Sequence, residues 1–195
     1  MHQQTTSRVN KTTSNGAKQR GGYTLIEMLL YTALVGIISV VIIEVVMIIS
    51  KTNAKITALT EASYNGSDIM ERISYETRNS KYIYLPTSNF RNYNFNAAKG
   101  DQMSLATTQT VLAGENIGYV DFYIENNAVF FKKDGASPVA LSSPDMIVES
   151  INFYYYKNSP GSKQRESVTV DILIKPKNSF ISGSKIHLIN TIALR

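Results

Sequence analysis

Between Tyr23 and Ile49 the chain is apolar almost throughout, and its only charges there are Glu27 and Glu44. The stretch between those acids, Met28 to Ile43, carries no charge at all. A helix rises ~1.5 Å per residue, so that stretch covers roughly 24 Å and the whole segment about 40 Å. The hydrocarbon of a bilayer is ~30 Å thick, so the segment is long enough to span, with one glutamate near each edge. A core helix apolar on every side would need neighbours all round, and a chain of 195 residues has few to offer once this segment is set aside. A cleaved secretory signal fits poorly as well. Its apolar region should run ~7–15 residues to a small-x-Ala site. Here the run is longer, Glu27 sits inside its start, and Thr52-Asn53-Ala54 makes a poor cut.

The flanks give the span a direction. Arg8, Lys11, Lys18 and Arg20 lie in the segment 1–22, which holds no acid. Lys51 and Lys55 follow the span, with Glu61 and Asp68 close behind. Basic flanks stay in the cytoplasm, which predicts an N-terminus inside and residues 50–195 outside. The net charge of +5 is therefore mostly a property of the tail, and the rest of the chain is close to neutral. That near-neutral remainder argues against nucleic acid as a partner. There is no cysteine, which excludes disulfides, thiolate metal sites and cysteine nucleophiles. His2 and His187 are the only histidines, which excludes a multi-histidine metal site. With 43% hydrophobic and 18% charged residues, the chain has the composition of a folded protein.

An acid inside a membrane span needs a reason, since a carboxylate at mid-bilayer costs roughly 2.5–3.5 kcal/mol. The local string is Gly21-Gly22-Tyr23-Thr24-Leu25-Ile26-Glu27-Met28. It resembles the processing site of type IV pilins and pseudopilins, where a basic leader ends in Gly and an N-methylated aromatic opens an apolar helix. The resemblance implies that prepilin peptidase cuts after Gly22 and that Tyr23 becomes the new, methylated N-terminus. It implies that Glu27 meets the terminal amine of a neighbouring pilin or pseudopilin subunit in a filament. Gly36 falls where the family often has a glycine. Two departures stand out: Tyr23 replaces the usual Phe, and no proline precedes Pro86. The physics runs alongside. Cleavage removes all four leader charges and exposes an amine at the membrane edge, and an amine and a carboxylate attract strongly in low dielectric while either alone is costly. Ser67 to Tyr84 resembles the helix end of J-type minor pseudopilins and W-type minor pilins.

Beyond the span, Ile56, Leu59, Ser63, Gly66, Met70 and Ile73 recur at three- and four-residue steps, which predicts an amphipathic continuation of the helix over 50–81. Arg72 and Glu76 are spaced to pair, and Gly66 is expected to loosen the helix. Residues 86–117 read as a long loop with a short strand around Met103–Leu105. Tyr119–Glu125, Ala128–Lys132, Met146–Tyr156, Val168–Ile174 and Ile186–Leu194 read as strands, with turns at Asn126-Asn127 and Asp134-Gly135. The expectation is an α+β chain: a basic leader (1–22), a transmembrane helix (23–49), its amphipathic continuation (50–81), and a β-rich domain (82–195) whose antiparallel sheet packs on the second half of the helix.

No nucleophile elbow, phosphate-binding glycine loop or metalloprotease string occurs, so no catalytic residue and no cofactor are expected. Phe90, Arg91, Tyr93 and Phe95 interleave aromatics with a cation and could stack on single-stranded nucleic acid, or pack on their own domain. Asn65-Gly66-Ser67 matches a glycosylation acceptor by spacing, and Lys132-Lys133 reads as a solvated strand end. The expected function is a minor pilin or pseudopilin, processed by prepilin peptidase, residing in the inner membrane and then in a filament. The alternatives are a DNA-uptake pilin and a non-assembling, single-pass anchored exported protein.

Overall fold

The computed structural model describes residues 22–92, 100–109, 111–157, 165–177 and 184–194. Its chain divides into two units, the first ending at Ile48 and the second beginning at Ile49. A single helix, α1 (Leu25–Asn79), contributes to both. The fold is α+β, as expected from the order of the elements.

In the first unit, every large apolar side chain of the helix is about half exposed or more, from 48% at Val45 to 83% at Leu25. The helix is long and apolar enough to cross a membrane. Its hydroxyls are satisfied inside the helix: Thr32 donates to the Leu29 carbonyl at 2.9 Å and Ser39 to the Val35 carbonyl at 2.8 Å. Such back-bonding removes the cost of taking a hydroxyl into an apolar medium.

In the second unit the helix turns amphipathic and ends at Asn79, just short of the expected boundary at Lys81. Its buried face is Ala62, Gly66, Ile69, Met70, Ile73, Ser74, Glu76 and Thr77. Ile56, placed on that stripe by spacing alone, is 57% exposed. Gly66 does not serve to loosen the helix. A Cβ there would stand 2.5 Å from Leu188 Cδ1 and 3.5 Å from Ile174 Cγ2, so the missing side chain lets the helix lie close against two strands.

The strands form two antiparallel sheets rather than the one expected. A five-stranded meander runs β1 (Tyr82–Ile83), β2 (Gln102–Thr107), β3 (Gly118–Glu125), β4 (Ala128–Lys133), β5 (Val139–Ala140). A three-stranded meander runs β6 (Met146–Tyr156), β7 (Ser167–Pro176), β8 (Ile186–Ala193). The β3–β4 hairpin closes through Asn126 and Asn127 with φ of 50° and 61°, a two-residue turn that asparagine enters at little cost. The short strand expected around Met103–Leu105 is β2, which runs a little longer, Gln102–Thr107. In β6 the register shifts between Val148 and Ser150, so Glu149 is an extra residue. That bulge lets Val148 and Ile151 both face inward, which explains why the strand reads as apolar on both faces.

The inner faces of both sheets and the helix stripe share one core, in which Phe90, Phe122, Phe153, Ile69, Ile73, Met103 and Leu105 are wholly buried. Each such side chain contributes about 1.5–3 kcal/mol by leaving water. Main-chain bonds stitch the outer edge of β6 to the other sheet: Val148 donates to Asn127 at 2.9 Å, Phe153 to Gly100 at 2.8 Å, and Arg91 to Phe153 at 2.9 Å.

Candidate functional site

Gly22, Tyr23 and Glu27, singled out in the sequence, lie close together at the start of α1. Gly22 and Tyr23 precede the helix in irregular backbone. Among the described residues, nothing lies within 4 Å of the position a Cβ on Gly22 would take, and Tyr23 is 72% exposed. Among those residues the peptide bond between them is therefore uncovered and outside the helix, as a protease that binds its substrate in extended form requires. The ring of Tyr23 meets that of Tyr31 edge-on, centroids 6.4 Å apart.

Thr24 holds the helix start. Its Oγ1 accepts a hydrogen bond from the Glu27 backbone N–H at 3.3 Å, and its carbonyl accepts one from Met28 N–H at 3.1 Å. Thr24 is thus the N-cap and Glu27 the third helical residue, the spacing of a capping box. Glu27 lies in the first turn, where a carboxylate also meets the positive end of the helix dipole. This second role for Glu27 escaped the sequence reading, although Thr-x-x-Glu before an apolar run signals it. Glu27 and Glu44 are both exposed on the helix. A helix rises ~1.5 Å per residue, so they stand roughly 25 Å apart along it.

Magnitudes favour insertion despite the two acids. Leu, Ile and Val each contribute about −0.3 to −0.6 kcal/mol at the centre of a span. They make up most of the stretch between Met28 and Ile43. Together they offset a carboxylate at mid-bilayer, and acids near the edges cost less than that.

The folded unit shows where the other candidates went. Phe90 is wholly buried against Tyr155, centroids 5.4 Å apart, and Arg91 Nη1 donates to Asn152 Oδ1 at 2.8 Å. Phe90 is thus withdrawn from any nucleic-acid platform by the core it fills; Tyr93 and Phe95 lie outside the described residues. Asn65 is occupied rather than presented for glycosylation. Its Nδ2 donates to the Leu141 carbonyl at 3.4 Å and its Oδ1 accepts from Ser143 N–H at 3.2 Å. Lys133 is not simply solvated, for its Nζ lies 3.8 Å from Glu76 Oε1 and 5.5 Å from the Phe131 ring centroid. Arg72 Nη2 reaches the same oxygen at 2.8 Å, the expected i,i+4 pair. His187 sits at the surface, 2.7 Å from Asp171 Oδ1.

An open cleft of about 400 Å³ lies beside Arg91, Asp101, Glu125, Glu149 and Asn152. Asp101 accepts from Asn89 Nδ2 at 2.9 Å, and Glu149 is held by Lys175 at 2.6 Å and Lys185 at 2.5 Å. Hydrogen bonds from Lys175 and Lys185 keep the Glu149 carboxyl below its ordinary range. Among the described residues no three His, Cys, Asp or Glu side chains gather as a metal site. The chemically unusual part of the described chain is accordingly the stretch from Gly22 to Glu27 and the apolar helix it opens. No family model matches the chain, and no match is found among curated proteins or solved structures.

Proposed function

We propose that this chain is a minor pilin or pseudopilin: a structural subunit that prepilin peptidase cuts after Gly22 and that assembles through α1 into a type IV pilus-like or type II secretion filament. One observation carries the reading. An uncovered Gly22–Tyr23 bond stands just ahead of a helix whose first half is apolar all round and bears an acid in its first turn. Cutting there converts a basic membrane anchor into a helix whose terminal amine and Glu27 lie at the same edge of the span. Before assembly the helix belongs in the inner membrane, with the N-terminus in the cytoplasm and the β-rich unit outside. In a filament its apolar surface is covered by the helices of other subunits, and each Glu27 is neutralised by a neighbour's amine. In this reading the chain is the substrate of an enzyme rather than an enzyme.

The test is the mature terminus. Full-length chain produced together with a prepilin peptidase should lose the segment 1–22 and begin at Tyr23 carrying one added methyl group, both visible by intact mass. Retention of the leader in the presence of active peptidase, or a mature start near Lys55, would end the reading.

A further inference from the structure

Sheet edges invite pairing with other chains, and folded proteins normally blunt them by shortness, charge, proline, a bulge or a cover. Among the described residues, three of the four edges are blunted. β1 and β5 are two residues each. The outer edge of β6 is bulged at Glu149 and covered by backbone bonds to Asn127, Gly100 and Arg91. The fourth edge, β8, is different. It runs eight residues in unbroken register with β7 and contains no Lys, Arg, Asp, Glu or Pro. Among the described residues, its backbone pairs only with the β7 side.

The orientation of its free groups follows from one bond. Leu194 N–H donates to the Glu166 carbonyl at 2.9 Å, toward β7. Backbone direction alternates along a strand, so the N–H and C=O of His187, Ile189, Thr191 and Ala193 point to the open edge. The side chains of these same four residues are exposed, Ile189 by 61%.

We propose that β8 is a docking edge that accepts an extended segment of a different polypeptide as a ninth strand. A second copy of this chain is a poor occupant. With no other open edge among the described residues, two copies would have to pair β8 with β8 about a twofold axis normal to the sheet. That axis would also reverse the Ala62–Thr77 face of α1, whereas subunits anchored in one membrane run in the same sense. This step rests on the filament reading. The accepted segment is uncharged at its centre, as β8 is, and alternates apolar residues toward α1 with polar residues beside Ile189 and Thr191.

The probe is a synthetic peptide Val-Thr-Val-Asn-Ile-Leu, patterned on residues 168–173 with asparagine in place of Asp171 and blocked at both ends, added to full-length chain in detergent micelles. Amide hydrogen exchange read residue by residue should slow at His187, Ile189, Thr191 and Ala193 by about tenfold or more, leaving Leu188, Asn190 and Ile192 as they were. Thr191→Pro removes an outward N–H without touching the β7 ladder and should abolish the slowing. The same peptide N-methylated at alternate residues should have no effect, a control that leaves the chain intact. Equal exchange with and without peptide would overturn the proposal. So would slowing that grows with chain concentration alone, which would make the occupant a second copy. The assay requires no cleavage, so its failure leaves the filament reading standing, and a wrong mature terminus would remove that reading without changing this result.

Discussion

Glu27 has one observed role and one proposed role, and one pair of substitutions separates them. As the third residue of the helix it receives the Thr24 cap and sits in the first turn. That role is worth about 0.3–1 kcal/mol through the dipole. The Thr24 bond is made to the Glu27 backbone N–H and survives any substitution, and glutamine serves a capping box as glutamate does. In the proposed filament Glu27 pairs with a neighbour's terminal amine, and there it contributes a charge that glutamine lacks altogether. Removing one member of a buried ion pair costs about 3–5 kcal/mol, because the other is left uncompensated. At about 1.4 kcal/mol per factor of ten, that is roughly a hundredfold to a few thousandfold loss of assembly. Glu27→Gln and Glu27→Val should therefore fail alike. Both should be cut after Gly22 and stay in the membrane, since losing a carboxylate eases insertion. The assay is the fraction of mature subunit that co-sediments with sheared filaments, measured beside the fraction cleaved. If Glu27→Gln assembles normally while Glu27→Val does not, a polar side chain at this position is what assembly needs, and the pairing argument is refuted. Normal assembly of both would leave Glu27 no role in the filament.

Other consequences follow from the same geometry. Gly22→Val should block cleavage while leaving the chain in the membrane, seen as retained leader mass in the membrane fraction. Gly66→Leu places a side chain where Leu188 and Ile174 already stand, and should lower stability by about 1–3 kcal/mol in denaturant titration. Residues 50–195 produced alone should be soluble, with a mixed helix and strand circular dichroism spectrum and a cooperative melt, since the shared core lies within the second unit. The carboxyl of Glu149 titrates below its ordinary 4.5, so its contribution to stability is present above that pH and is lost as pH falls through its lowered folded value. Glu149→Gln should accordingly lower the melting temperature slightly at pH 7 and flatten the acid limb of its dependence on pH.

The parts of this fold that were legible in the sequence are those set by near neighbours. Val168, Val170, Ile172 and Ile174 alternate, and they are the wholly buried face of β7. Asn126-Asn127 announced a turn because few other residues tolerate two successive positive φ values. The pairing of Arg72 with Glu76 follows from one helical turn. What stayed hidden depends on distant chain. Strands of two residues, β1 and β5, are too short to show a period. The burial of Glu76 awaits Lys133, and the need for Gly66 awaits Leu188, neither of which any local window contains. The division into two sheets likewise follows from where β6 finds its partner, in β7 rather than β5. The N-terminal site differs from all of these because its chemistry is local. In the proposed reading, a glycine, a cap and an acid close together in sequence define a cut and a charge at the head of an apolar helix. The Thr24 hydroxyl acts within the chain itself, a part the resemblance alone does not assign to it. The cap fixes where the helix begins, and so fixes that only Tyr23 and Thr24 stand between the proposed cut and the first helical residue. A longer unstructured tail would let the new amine wander into water, and a helix begun at Gly22 would draw the scissile bond into hydrogen-bonded backbone. If the proposed cut is made, a cap at Thr24 keeps the bond accessible beforehand and the new amine close to the depth of Glu27 afterwards, so cleavage and pairing serve the same helix end.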